Sequence, residues 1–359
     1  MPHIAAFRGT LAGASDRDPA RALYRYHQTF SLGGRPVTRR TLLCVVRLAP
    51  WSEGVIRPHE ASTGAARDAE LAAIKSARAH TGAVLAGYRD AATEVDRLFR
   101  KAEGETPTLD TTTPDGTQHR VWRIQNAEIF GKLRPLFAPK KLHVLDGHAR
   151  YEAMLAYQAS LGDLAQYSTG NYGLFCLVNL EDQALVVAPR HRILKGLTRD
   201  ALFAAAKPYF IVDKLAGAAK DVAKQRAALA DTVAHQPTFV ALFAGDPDAY
   251  KLTLSPDVSP VAEGVAVHRA LQKYDIVVLE HLLLRDAHAD TSAQTTIDQL
   301  AVLDAVDKGA TGILMRPMTL EQVVHADELG QVLPASADAF PPTLADLVRF
   351  PIDPNEDVA

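Results

Sequence analysis

The sequence predicts a mixed α/β (α+β) protein of two domains, and three observations carry that prediction. At 359 residues the chain is long enough for two cores. Short β-branched and apolar runs alternate with alanine-rich segments of helical spacing. The pattern changes after Gly162, which sets a domain boundary near Gly162 to Ser168: residues 1–165 form one domain and 166–359 a second, α+β domain.

The elements follow in order. "ALYRYHQTF" and "TRRTLLCVVRLA" read as strands joined by a loop with Gly33, Gly34 and Pro36. "EGVIRPHEAST" reads as a polar turn region. "AARDAELAAIKSARAH" is alanine-rich, with Leu71 and Ile74 on one helical face. "AVLAGY" is a short strand, and "AATEVDRLFRKAEG" a helix with cations in its last turn, closed by Gly104. "TPTLDTTTPDGTQHRVWRIQ" is a hairpin turning at "PDG". "AEIFGKLRPLF" is a helix, "KKLHVL" a strand and "YEAMLAYQASLG" a helix.

Beyond Gly162, "GLFCLVNL" and "ALVVAPRHRIL" read as paired strands. "RDALFAAAKPYF" and "AAKDVAKQRAALADTVAHQ" read as helices. "TFVALFAG" and "AYKLTLSP" form a hairpin around "GDPD". "VHRALQKYDIVVLEHLLL" and "TIDQLAVLDAVDKG" are largely helical. "TGILM" is a strand, and "TLEQVVHADEL" a helix opened by Thr319. The Pro-rich acidic tail "FPIDPNEDVA" is expected to fray.

Composition bounds the function. The chain is 47% hydrophobic and 23% charged, with a formal net charge of −3, so no global electrostatic case for nucleic acid exists. No stretch approaches the roughly 18 apolar residues of a membrane span. Arg8 interrupts any apolar core at the N-terminus, and Cys44 and Cys176 are isolated in apolar runs, as buried thiols of a reducing interior would be. A cytoplasmic location is expected.

Three polar clusters carry chemistry. In "VLDGHAR" a strand pattern gives way to helical spacing, and a helix N-terminus there favours an anion. Gly147 can take a strained turn, His148 and Arg150 can donate to phosphate, and Asp146 can orient His148 or help hold a metal. The alternative is that Asp146 caps the helix and Arg150 makes a surface ion pair. In "IRPHEAST", Glu60 on a Pro-led loop is either a general base or a solvated acid. In "APRHRILKG", Arg190, His191, Arg192 and Lys195 either attract phosphate or solvate an edge strand. P-loop, dinucleotide-binding, zinc-protease and serine-hydrolase signatures are absent.

Together these segments resemble a bacterial and archaeal family, domain of unknown function 1015. Its members show a pHE-x-T segment, then DGHHRYEAA, then pthRll; here stand "RPHEAST", "LDGHARYEAML" and "APRHRIL", in that order. "ALYRYHQTF" resembles its ly-x-Y-x-Q strand. The resemblance runs from about Ala22 to Pro334. More distantly, the motifs resemble the ParB/sulfiredoxin-like fold, which includes free-serine kinases. That resemblance implies a ParB/sulfiredoxin-like N-terminal domain and nucleotide-dependent phosphoryl transfer to a small hydroxyl compound such as serine.

Glu60 would then be the base, acting with His148. Asp146, Gly147, His148 and Arg150 would line the phosphates of ATP or ADP bound with Mg. His59, Thr63, Arg190, His191 and Arg192 are further candidates. Partners would be a nucleotide and a small-molecule substrate, with no membrane; nucleic acid is disfavoured. The chain departs from the family pattern in three ways. Ala149 replaces the second His. "MPHIAAFRG" leads almost directly into "ALYRYHQTF", without a PYDV-like region. In "LPASADAFPP", Ala335 and Pro342 stand where the family has lysines. Losing those charges weakens neutralisation of a transferring phosphoryl group, so a non-catalytic ligand-binding or regulatory member is the alternative.

Overall fold

The structure, a computed structural model, describes residues 1–230, 236–288 and 294–358. It is mixed α/β, as the sequence predicts. Two compact units are present, residues 1–186 with the segment from Ala339 onward, and residues 187–338.

The first unit runs β1 (Ile4–Ala5), β2 (Thr10–Leu11), β3 (Leu23–Leu32), β4 (Arg35–Arg47), β5 (Ile56–Pro58), α1 (Gly64–Ala77), β6 (Ala79–His80), β7 (Val84–Tyr88), α2 (Glu94–Glu103), β8 (Leu109–Thr112), β9 (Gln118–Ile124), α3 (Ala127–Phe137), β10 (Leu142–Asp146), α4 (His148–Ser160) and β11 (Tyr172–Asn179). Its main sheet has the order β5-β10-β7-β11-β4-β3-β9-β8, with β1 beside β4. The β5–β10 and β7–β11 pairs are parallel. One face of the sheet, with Leu42, Cys44, Val84, Val144 and Phe175, joins a core to which all four helices contribute through Ile74, Phe99, Phe137 and Met154.

Elsewhere on β3 and β4 lie buried polar groups. Arg39 donates to the carbonyls of Phe340 and Pro341 at 3.3 and 2.5 Å, and Gln28 donates to that of Pro342 at 2.8 Å. These bonds hold the segment after Ala339 to the unit.

Between the units the chain passes through β12 (Val186–Pro189) and returns through β19 (Ala337–Phe340). The second unit contains β13 (His191–Leu194), α5 (Arg199–Ala206), β14 (Phe210–Leu215), α6 (Val222–Ala230), β15 (Thr238–Leu242), β16 (Ala249–Leu254), α7 (Asp275–Val278), a π-helical turn (Leu279–Leu284), β17 (Gln294–Thr296), α8 (Gln299–Asp307), β18 (Thr311–Met315) and α9 (Leu320–Glu328). Its sheet order is β14-β16-β15-β18-β13-β17, all antiparallel. The last strand, β20 (Val348–Pro351), pairs with β2 and β6 in the first unit.

Several expectations are corrected. The run "GLFCLVNL" does not pair with the strand after it. As β11 it is buried at every position and sits between β7 and β4, which is why it reads as a continuous apolar run. It belongs to the first unit, so the change of pattern after Gly162 marks a loop inside that unit. The polar region before α1 contains the short strand β5. The helix expected over "VHRALQKYDIVVLEHLLL" is broken into a 3₁₀ turn, α7 and the π-helical turn. The end of the helix expected over "AAKDVAKQRAALADTVAHQ" lies partly outside the described residues. The tail is not frayed: Phe350, Ile352 and Val358 are buried, and the N–H groups of Thr169 and Val358 bond the carbonyls of Glu356 and Tyr167. Cys44 and Cys176 are buried free thiols; burial raises both, Cys176 to about 11.

Candidate functional site

Two parallel strands end side by side in the first unit. β5 and β10 pair with Ile56 opposite Leu142, Arg57 opposite His143 and Pro58 opposite Val144. Beyond that register β5 delivers His59 and Glu60, and β10 delivers Asp146, Gly147 and His148. Each strand then feeds a helix, so α1 and α4 both begin at this carboxyl edge. That is the edge at which α/β proteins bind ligands.

Gly147 makes the second turn possible. Its φ of 93° lies in the left-handed region, and an added Cβ would stand 3.4 Å from Val84 Cα. The two helix starts differ. Thr63 caps α1, its Oγ accepting from the Ala66 N–H at 3.2 Å. No side chain caps α4 from Gly147, and no acid occupies its first turn. The positive end of the α4 dipole therefore faces this edge without a carboxylate of its own first turn.

Glu60 lies between two imidazoles. Its Oε2 is 3.5 Å from His59 Nε2 and its Oε1 3.7 Å from His148 Nδ1. The two rings are edge-on, with centroids 4.7 Å apart. His59 Nδ1 is 2.9 Å from the Val144 carbonyl; since a carbonyl only accepts, that nitrogen carries the hydrogen. Glu60 and His148 are each 5% exposed, which leaves narrow access from solvent.

The other predicted residues divide. Asp146 is half-buried at the end of β10, within the field of the buried Arg39 guanidinium. Arg150 lies beside the Gly147 turn, with its guanidinium already engaged. It meets Glu70 at 2.9 and 3.3 Å and the Ala83 carbonyl at 2.9 Å, tying α4 to α1 and to the loop before β7. Arg190, His191 and Arg192 belong to the second unit. Arg190 pairs with Asp338 at 2.6 Å, and Arg192 with buried Glu280 at 2.7 Å. His191 Nδ1 accepts the Met315 N–H at 3.1 Å, and burial pushes its pKa down to about 4. β13 is not an edge strand, since β17 and β18 flank it, so His191 and Arg192 face internal partners.

Sequence reasoning missed Ser62, Glu152 and Glu70. Ser62 donates to the Glu152 carboxylate and ties the loop carrying Glu60 to α4. The available signal was that Glu152 stands one turn after His148, on the same helix face.

The profile of the family described as "Protein of unknown function (DUF1015)" matches residues 12–302. The chain belongs to this family. Among solved structures, SbnI with a C-terminal truncation from Staphylococcus aureus is similar at 11% identity and a TM-score of 0.38, over 84% of this chain and 85% of that one. A free serine kinase in complex with AMP is similar at 11% identity and a TM-score of 0.39, over 83% and 88%. No curated protein matches. Within this DUF1015 chain, the pHE and DGH segments meet at one edge, while the residues of the third segment are engaged within the second unit.

Proposed function

We propose that the first unit binds the phosphates of ATP or ADP at the β5–β10 edge. There Glu60 takes the proton of a small hydroxyl compound, serine being the first candidate, as phosphoryl passes to it. The observation that carries this reading is the meeting of Glu60 and His148, remote in sequence, at the start of α4. The hydroxyl proton goes to the Glu60 carboxylate. The hydroxyl oxygen forms its bond to phosphorus as the bond from phosphorus to the nucleotide oxygen breaks.

Gly147 and the first turn of α4 would cradle phosphate, as a helix N-terminus can. Among the described residues no three ligating side chains converge on one metal position. Mg²⁺ would be held mostly by the nucleotide, with Asp146 at the end of β10 as a carboxylate that could join its shell. It would neutralise phosphate charge.

Isothermal calorimetry of the full chain with ATP, ADP and AMP, with and without Mg²⁺, tests binding. Transfer of labelled phosphate to serine tests activity. Glu60→Gln should lower the transfer rate by roughly 10²–10⁴ and leave nucleotide affinity within a few-fold. A variant as fast as wild type would remove Glu60 from the role of base.

The second reading is a ligand-binding member without turnover. It is favoured by the low exposure of Glu60 and by Arg150, whose fork already meets Glu70 and Ala83. Nucleotide binding with no transfer to any hydroxyl acceptor would establish it.

A further inference from the structure

The contact between His59 and Glu60 has a chemical peculiarity. The Nδ1–H of His59 is fixed on the Val144 carbonyl. In the neutral ring Nε2 then carries a lone pair, and it faces a carboxylate oxygen 3.5 Å away in a nearly dry setting. Two lone pairs repel there. One proton between them removes the repulsion, giving either imidazolium with carboxylate or imidazole with carboxylic acid.

We infer that His59 is a positioning residue that shares one proton with Glu60, and that the Val144 carbonyl sets the tautomer that makes this sharing obligatory. The inference rests on the reading of Glu60 as the working group of the site. Glu60 is then free to take a substrate proton only while His59 holds the shared one. The titratable and charged groups on the elements around the pair are Arg57 on β5, His143 and Asp146 on β10, His148, Arg150 and Glu152 on α4, and Arg67, Asp68, Glu70 and Lys75 on α1. Arg150 and Glu70 neutralise each other, and Ser62 occupies Glu152. His148 is the other imidazole in contact with Glu60, at the opposite oxygen.

The test is ¹⁵N NMR of the histidine-labelled full chain between pH 5 and 9, without ligand. The His59 signals are those lost in His59→Asn, which retains an amide N–H for Val144 but holds no titrating proton. The expected spectrum shows His59 titrating from imidazolium to the neutral Nδ1–H tautomer, with no Nε2–H form. Glu60→Gln should lower the His59 protonation midpoint by about 1–3 pH units, because it removes an adjacent carboxylate. His148→Asn should leave the His59 tautomer unchanged.

A neutral Nε2–H tautomer, or a midpoint unmoved in Glu60→Gln, would overturn the inference. The tautomer is read on the wild-type chain, so the test stands even where a variant folds poorly. It needs neither nucleotide nor turnover. Failure to bind nucleotide would leave the signature intact, and loss of the signature would leave nucleotide binding intact.

Discussion

The DGHAR and PRHR segments look alike in sequence and do different things in the structure. Each places a histidine and arginine at the junction of a strand and a turn. His148 and His191 are even equally buried, at 5% exposure. Yet His148 faces the carboxylate of Glu60, whereas His191 accepts a backbone N–H from the neighbouring strand. In PRHR the arginines meet Asp338 and Glu280 within the second unit. A cluster of cations is therefore no guide to a site until the partner of each is known.

The largest effect should come from breaking the second cluster. Arg192→Ala leaves Glu280 buried beside the carbonyls of Arg190 and Ala335 without its cation. Loss of about 3–5 kcal/mol is expected, read by denaturant unfolding. Arg150→Ala breaks a half-exposed pair and one bond to a carbonyl, so it should cost less, roughly 1–3 kcal/mol. Equal costs would mean that the two arginines play the same structural part.

Acid comes next. Burial lowers His191 and His80 to about 4, below the ordinary histidine value of 6.5. The folded chain therefore binds fewer protons than the unfolded chain between those values. The stability each group contributes is full above pH 6.5 and is lost as pH falls toward 4, roughly 3 kcal/mol per group at the most. Thermal unfolding measured from pH 7 down to 4.5 should show this decline, and His191→Gln should flatten part of it. A flat profile would show that His191 is no more buried in effect than an exposed histidine.

The smallest effect concerns the turn before α4. Gly147→Ala forces a side chain into the left-handed region, at a cost of about 1–2 kcal/mol. It also presses on Val84, so it should weaken phosphate binding more than it destabilises the chain. Calorimetry with ADP beside denaturant unfolding separates the two.

Much of this was legible in the sequence, for identifiable reasons. The strand, Gly turn and helix around Gly147 were visible because two hydrophobic periods meet at one residue. The β8–β9 and β15–β16 hairpins were visible from "PDG" and "GDPD". β5 was hidden, because three residues in a polar loop carry no period. Its parallel pairing with β10, on which the site depends, leaves no mark in either segment alone. β11 reads as a strand in the sequence but not its neighbours, since a run buried on both faces says nothing about which strands flank it. The tail hid its anchors, Phe350, Ile352 and Val358, among prolines and acids. The fates of Arg150 and Arg192 depended on Glu70 and Glu280, which no local pattern connects to them.

The most direct test of the central claim is to follow backbone amide resonances of the labelled chain as ADP and Mg²⁺ are added. Saturable shifts at Gly147, His148 and Ala149, with Arg190 to Arg192 unmoved, are the predicted result. Shifts at Arg190 to Arg192 with the Gly147 turn silent, or no saturable shift at either segment, would contradict the placement of the phosphate site at the β5–β10 edge.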